Sequence, residues 1–502
     1  MMIEFDLLKE PRLEFGQYFE HEDSKTGLAE FGPFGKNIAG LHPSEVRLGF
    51  IGTGEAIAGV KEWIAECGSY IESQNIKTIK PKDDDDEKLF EIDPAVEATL
   101  KRVMKILNRD FTGFSRETQW ASEFQINPRW ERELRPQDIK KLLAIDDKQQ
   151  RITELVGFFS DEIKSLAKTA PAPDIILVAL TSEIEEKADS VRVAGNFHLN
   201  FRRALKASAM RHGKPIQIMR RSTITGQRAQ LQEKATRAWN FCTAMYYKAD
   251  GVPWRLTGLS PDTCFVGIDF YVAPTSDEKL SVRSSVAQAF DHLGQGVVLR
   301  SEELFEWDEV KQGRSPHMPT AVASKLITRT LQEYTRVREA PPRRVVVHKS
   351  SRFWGDEHPE YNELAGLYEG IESVAPRCYT DFLTLSQSGI RLFRQGMYPP
   401  ARGTFFSLAR DHHFVYTMGF VPYLETYPGL YVPEPWEIVE HHGGSSPKEL
   451  LREVLALTKM NVNNCSYADG KPITLSFSRK VGDVMKHIPP GQNAETGYKF
   501  YM

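Results

Sequence analysis

Apolar residues along the chain alternate between short unbroken runs and a three-to-four residue spacing. The first pattern predicts strands buried on both faces, the second amphipathic helices. Runs at 46–51 (VRLGFI), 175–180 (IILVAL), 215–219 (PIQIM), 264–272 (CFVGIDFYV) and 343–348 (RRVVVH) predict strands, and 282–290 and 296–300 predict two more joined as a hairpin. Helical spacing predicts helices over 201–212, 230–248, 320–338 and 358–373, the first stopped by Gly213. Residues 94–168 read as largely helical, with Pro128 and Pro136 as breaks, whereas 1–40 hold turn signals and little periodicity. The alternation predicts an α/β protein in which a Rossmann-like unit is followed by a second unit of different pattern. The expected divisions are 1–169, an N-terminal α/β segment of the first lobe; 170–256, its core, entered through the stiff connector APAPD; and 257–502.

Composition narrows the setting. Hydrophobic content of 41% and charged content of 26% are ordinary for a globular protein, and 502 residues suffice for several sizeable cores. No run of eighteen apolar residues occurs, so no membrane partner is expected. The opening MMIEFDLLKEPRLEF lacks the apolar core of a secretory signal. Five cysteines lie far apart with no CxxC pair, which argues for a reducing, cytoplasmic location and against a zinc site or disulfide framework.

Charge then singles out one stretch. The chain carries a net charge of -4, yet 201–237 holds ten Lys or Arg against one acid, Glu233. Arg202 and Lys206, four apart, share a helix face; Gln217 lies in the returning strand, and Lys248 ends the next helix. Three cations and an amide converging on one anion would suit a terminal phosphate. The alternative is a solvated basic face. Other candidates are weaker. GTGEAIAG at 52–59 opens a helix after a strand, as nucleotide-binding turns do, but its glycine spacing departs from the dinucleotide fingerprint and a plain turn is the better reading. KPKDDDDEK at 80–88 reads as a solvated loop, because consecutive carboxylates do not converge on a metal unaided. His412–His413 and His441–His442 are neighbours that a strand would point to opposite faces. Tyr416, Tyr423, Tyr427 and Tyr431 offer rings for base stacking, though core packing accounts for most.

The basic residue four before Lys206, the Gln eleven after it, and YKADGVPWRL at 247–256 together resemble the MID domain of prokaryotic Argonautes. The resemblance implies that Arg202, Lys206, Gln217 and Lys248 grip the 5′ phosphate of a guide strand. Arg202 stands where many of that family have Tyr. It also implies a Mg²⁺ ion at that phosphate, reached by the terminal carboxylate of Met502.

The second half is similar to a PIWI domain. Three strands, helix, strand, helix is the order of the ribonuclease H fold, with Asp269 in mid-strand where that fold places a metal-binding carboxylate. GIDF at 267–270, VVVHKSS at 345–351, RGT at 402–404, YPGLYVP at 427–433, LTKMNVN at 457–463 and KPITLSFSRKVGDVM at 471–485 follow PIWI order. Slicing relatives hold two metal ions with four side chains, mostly acids. Here Asp269 keeps one position while Ser350 and Ser478 stand at two others, and Glu302, Glu303 and Glu306 are unplaced candidates for the fourth. Neutral hydroxyls are poor magnesium ligands, so the tetrad is expected to be degraded and the chain not to cut. The opening EPRLEFG…GLAEFGPF is similar to short Argonautes. That likeness implies a guide RNA, a single-stranded DNA target, and a heterodimer with an APAZ-containing effector, either NAD-hydrolysing (TIR or sirtuin-like) or a nuclease, acting in defence against plasmids and phages. The competing readings are a guide-dependent endonuclease and a nucleotide-binding α/β protein built on GTGEAIAG.

Overall fold

The computed structural model describes residues 3–73, 107–194, 197–225, 232–272, 281–290, 296–299, 304–306, 313, 315–393, 395, 399–429, 431–488, 492 and 494–502. The acidic run at 80–88 therefore lies outside the described residues, as do Glu302 and Glu303.

Two sheets organise the chain. The first has four parallel strands in the order Glu123–Glu133, Glu45–Gly52, Ile175–Ala179, Ile216–Met219. All five residues of Ile175–Ala179 are buried, as an unbroken apolar run between two helical layers requires. Helices Gly54–Cys67 and Lys234–Lys248 cover one face, packing Val60, Trp63 and Trp239 with Leu48 and Leu177. Lys148–Ala167 and Phe201–Met210 cover the other, packing Leu155, Phe159 and Leu205 with Ile176 and Val178. Strands from both sides of residue 169 share this sheet, so residues 1–169 supply half of it.

The helical expectation for 94–168 fails at Glu123–Glu133, which is an eleven-residue edge strand. Its pairing with Glu45–Gly52 slips between Leu48 and Phe50, whose partners are Ile126 and Glu131. Pro128 falls inside that irregularity, where a missing N–H breaks no ladder bond. The helices Pro136–Leu143 and Lys148–Ala167 do follow.

The second sheet has ten strands. Its core runs Gly296–Leu299, Ser281–Phe290, Thr263–Val272, Arg344–Lys349, Tyr379–Gln387, that is, order 3-2-1-4-5 with the last two parallel to the first. This is the ribonuclease H-like arrangement. Trp436–Gly443, His412–Val415 and Thr404–Ala409 extend it, and the edge is Glu4–Leu7 from the start of the chain. Residues 1–40 thus hold more order than their turn signals suggest, including the helix Ser24–Phe31, capped by the Asp23 carboxylate accepting from the Thr26 N–H at 2.8 Å. Glu10, in the same segment, takes Arg402 at 3.0 Å and Lys459 at 2.7 Å. These two buried cations come from the RGT and LTKMNVN motifs, so the first residues are tied ionically to the second lobe.

Helices Thr320–Arg338 and Glu363–Val374 cover one face of the second sheet, and Ile473–Met485 lies on the other, next to the first lobe. Glu363–Val374 starts later than the expected 358, because Asn362 caps it by accepting from the Ala365 N–H at 2.9 Å. The contact of Ile473–Met485 with the central strand is made at Gly267, where an added Cβ would lie 1.9 Å from the Thr474 carbonyl oxygen. Backbone cannot yield as a side chain tip can, so Gly267→Ala is expected to destabilise the protein by about 3 kcal/mol, the upper range of overpacking. Gly389→Ala, with nothing within 4 Å of the new methyl, should stay within about 0.5 kcal/mol of the parent. Urea unfolding of the two variants checks the contrast.

Candidate nucleic-acid interface

The basic stretch folds into one wall of a cleft of about 610 Å³ between the two lobes. Asn200 caps the helix Phe201–Met210 by accepting from the Arg203 N–H at 3.2 Å, and its own N–H donates to His487 Nε2 at 3.1 Å. His487 can accept because burial lowers its pKa and keeps the ring neutral, with Nδ1 against the Asp483 carbonyl at 3.0 Å. One helix of each lobe is thereby fixed to the other, and Arg203 adds an ion pair with Asp483 at 2.6 Å. The helix ends at Gly213, φ 60°, whose N–H closes on the Met210 carbonyl at 3.0 Å.

On this scaffold four of the sequence-selected residues meet. Lys248, 1% exposed in the last turn of Lys234–Lys248, donates to Gln217 Oε1 at 2.7 Å, to the Ile216 carbonyl at 2.9 Å and to the Met502 main-chain oxygen at 3.4 Å. Lys206 donates to the same Met502 oxygen and, at 3.5 Å, to the Tyr501 carbonyl. Arg202 lines the cleft one turn away but directs a guanidinium nitrogen to Asp189 at 3.4 Å, so its charge is shared. Met502 is buried; it is carried there by the short 3-10 turn Tyr498–Phe500, whose Tyr498 ring packs on Tyr247 and Phe477.

Electrostatically the cleft is strongly basic. Among the described residues, Arg202, Arg203, Lys206, Arg220, Arg237 and Lys480 line it, with Asp483 as the one acidic side chain. Burial, with Lys480 and Arg203 nearby, pushes the Lys206 ammonium down from 10.5 to about 8. Burial and the Lys206 charge also push the Lys248 ammonium well below its ordinary range. Arg202 Nε and Arg237 Nε are buried without a hydrogen-bond partner among the described residues. Unsatisfied buried donors and mutually repelling ammonium groups are costly unless an anion completes them. The oxygens facing the lysines are Gln217 Oε1 and the Met502 main-chain oxygen, and no group of three or more His, Cys, Asp or Glu gathers in metal-holding geometry among the described residues. Lys480, Arg220, Arg237, Asn463 and Tyr501 were not singled out from sequence. Arg220 and Arg237 belong to the counted basic run, while the other three reach the cleft only through tertiary packing.

The positions read as a degraded tetrad are also placed. Asp269 is half-buried in the central strand at a pairing irregularity, with its carboxylate accepting from the Phe270 N–H at 2.8 Å. Ser350 is exposed, one residue beyond the neighbouring parallel strand Arg344–Lys349, in which Lys349 pairs with Ile268. Ser478 lies within the helix Ile473–Met485, which crosses the central strand Thr263–Val272 at Gly267. Glu306 is in the strand Leu304–Glu306. Beside Ser350, Lys349 turns to the opposite face, where Glu363 accepts from its Nζ at 2.6 Å, from the Met318 and Trp354 N–H groups, and contacts His317 Nδ1 at 3.0 Å.

The remaining candidates resolve as structure. His412 pairs with Glu437, His413 with Ser407, His441 with Asp381 and His442 with Glu440. Tyr416 is core, while Tyr431 is 82% exposed. At GTGEAIAG, the Thr53 hydroxyl caps the Gly54–Cys67 helix, and the Glu133 carboxylate lies where a Cβ on Gly54 would be 2.6 Å away. A fixed carboxylate at that helix end opposes a phosphate there.

No protein-family sequence model and no curated protein matches the chain. Solved structures do. Clostridium butyricum Argonaute bound to a guide DNA and a 19-mer target DNA aligns over 98% of this chain and 54% of its own, with TM-score 0.58 and 13% identity. A. aeolicus Argonaute aligns over 100% and 56%, with TM-score 0.56 and 14% identity. Marinitoga piezophila Argonaute in complex with a 5′ OH guide RNA aligns over 96% and 59%, with TM-score 0.54 and 10% identity. The chain thus has the Argonaute fold, its first lobe corresponding to MID and its second to a ribonuclease H-like PIWI domain, and spans a little over half the length of these structures.

The lysine pair has a pH signature. A lysine whose folded pKa is depressed to about 8 from 10.5 costs stability fully below pH 8. The cost is relieved as pH rises through that interval, where the unfolded chain holds more protons than the folded one. The ligand-free protein should therefore gain thermal stability between pH 8 and 10 relative to Lys206→Met, in which this contribution is absent. A 5′-monophosphorylated oligonucleotide should flatten the difference; an unchanged slope in the variant would show that Lys206 is solvated.

Proposed function

We propose that the chain is a short, non-slicing Argonaute that holds the 5′-phosphorylated end of a guide RNA and presents it to single-stranded DNA. The observation that carries this is the convergence of Lys206 and Lys248 on one Met502 oxygen, with Gln217 bonded to Lys248, at a cleft whose described lining holds six cationic side chains and one acidic one. Guide pairing, and not protein contacts, would read the target. Two of the similar structures hold guides of different chemistry, a guide DNA and a 5′ OH guide RNA, so the end preference must be measured in this protein. A Mg²⁺ ion at the guide phosphate would be held jointly by the Met502 oxygen and the phosphate oxygens the guide brings; it would supply positive charge.

Absence of cutting is inferred from the tetrad positions. With Asp269 kept but Ser350 and Ser478 standing at two positions where carboxylates are expected, the site is about two charges short of what two hard divalent ions need. Output would then come from a separate APAZ-containing effector, NAD-hydrolysing or nuclease, in cytoplasmic defence against plasmids and phages. This rests on the resemblance of the sequence motifs.

Binding of 5′-phosphorylated and 5′-hydroxyl RNA to the wild type and to Lys206→Ala/Lys248→Ala tests the phosphate grip. Two charge-assisted contacts of about 1.5–3 kcal/mol each predict at least a hundredfold loss for the phosphorylated strand, with little change for the hydroxyl strand. Equal affinities throughout would remove the basis of the proposal. Separately, guide-loaded protein mixed with complementary DNA and Mg²⁺ or Mn²⁺ should yield no product; accumulating fragments would favour the endonuclease reading.

A further inference from the structure

The phosphate cleft is the first of three neighbouring clefts. It shares Gln232 and Arg237 with a second of about 770 Å³, which shares Met418 with a third of about 470 Å³. The third is lined by Gln387, Arg391, Tyr427, Tyr431, Val432 and Glu434. Its chemistry differs from the first. Arg391 is neutralised by an ion pair with Glu434, so no net positive charge faces a phosphate. An aromatic side chain stands out instead: Tyr431 is 82% exposed, beside Val432 at 45%. Among the described residues its ring stacks on no other, while its backbone is held by the Tyr427 hydroxyl donating to the Tyr431 carbonyl at 2.6 Å. A large exposed ring on a braced loop leaves its area in water, a cost that a planar apolar ligand removes.

We infer that Tyr431 is a stacking platform for a base of the guide strand, which runs from the phosphate cleft past Arg237 and Met418 into the third cleft. The inference rests on the proposed guide binding. The strand would be gripped through charge at its 5′ end and through a ring face farther along, which is the combination sequence-tolerant single-strand binders use. Stacking does not discriminate strongly among bases, so Tyr431 would set where a base sits and not which base is preferred.

The test uses the full chain and a set of 5′-phosphorylated RNAs carrying 2-aminopurine at successive positions. Wild type should quench one position or two adjacent ones, Tyr431→Trp should retain that quenching, and Tyr431→Ala should lose it. Guide affinity should fall about five- to a hundredfold in Tyr431→Ala, the range for removing a base-stacking aromatic. Bound guide whose fluorescence is the same in Tyr431→Ala and wild type at every position would overturn the platform while leaving the phosphate grip intact. Failure of the wild type to bind any phosphorylated strand would overturn both.

Discussion

The arrangement on which this molecule depends is a pair of lysine ammonium groups, Lys248 buried and Lys206 half-buried, that meet main-chain oxygens and an amide and no acidic side chain among the described residues. Lys206 and Lys248 come from helices on opposite faces of the first sheet and approach the same oxygen of Met502. Burial lowers the proton affinity of both; Lys480 and Arg203 add to the effect at Lys206, and Lys206 adds to it at Lys248. Such a pair lowers the stability of the empty protein, and a multiply charged anion reverses the sign of the effect. The same feature that costs folding energy would supply binding energy to the proposed guide phosphate, because ligand charge would replace hydration that folding has already removed.

Keeping that pair in register requires the second lobe. The last residues return from the ribonuclease H-like half to deliver Met502, with Tyr498 packed between Tyr247 and Phe477. His487 and Asp483, on and just after the helix Ile473–Met485, clamp the start of the helix that carries Lys206. The helix Ile473–Met485 in turn sits on the central strand through the close approach at Gly267. The nuclease-like sheet therefore has a mechanical role in forming the cleft, independent of any chemistry at Asp269.

Several charged motif residues prove to be fasteners. Arg402 and Lys459 bind Glu10 and anchor the opening segment, and Lys349 with Glu363 and His317 locks the turn after Ser350. A charged residue in a motif does not reveal from sequence whether it meets a ligand or a buried carboxylate. The bonding partner separates the two cases. Lys459 and Lys349 are enclosed with acids, whereas Lys206 and Lys248 are enclosed with carbonyl oxygens and an amide.

Local pattern by itself determined the strands at 46–51, 175–180, 264–272 and 343–348, the helices bearing Lys206 and Lys248, and the basic character of their stretch. Each rests on periodicity or charge within about twenty residues. Glu123–Glu133 escaped because an edge strand broken by an irregularity around Pro128 has neither helical nor strand period. The strand Glu4–Leu7 escaped because all four of its residues are exposed, so no buried side chain marks it. Lys480, Asn463 and Tyr501 joined the cleft only through tertiary structure, which also sets three clefts side by side up to Tyr431. The division has one cause. Backbone preference and amphipathic spacing act over one or two turns, whereas the meeting of two lysines forty-two residues apart with Met502 is a property of packed layers, decided by long-range burial and legible only once the sheets have formed.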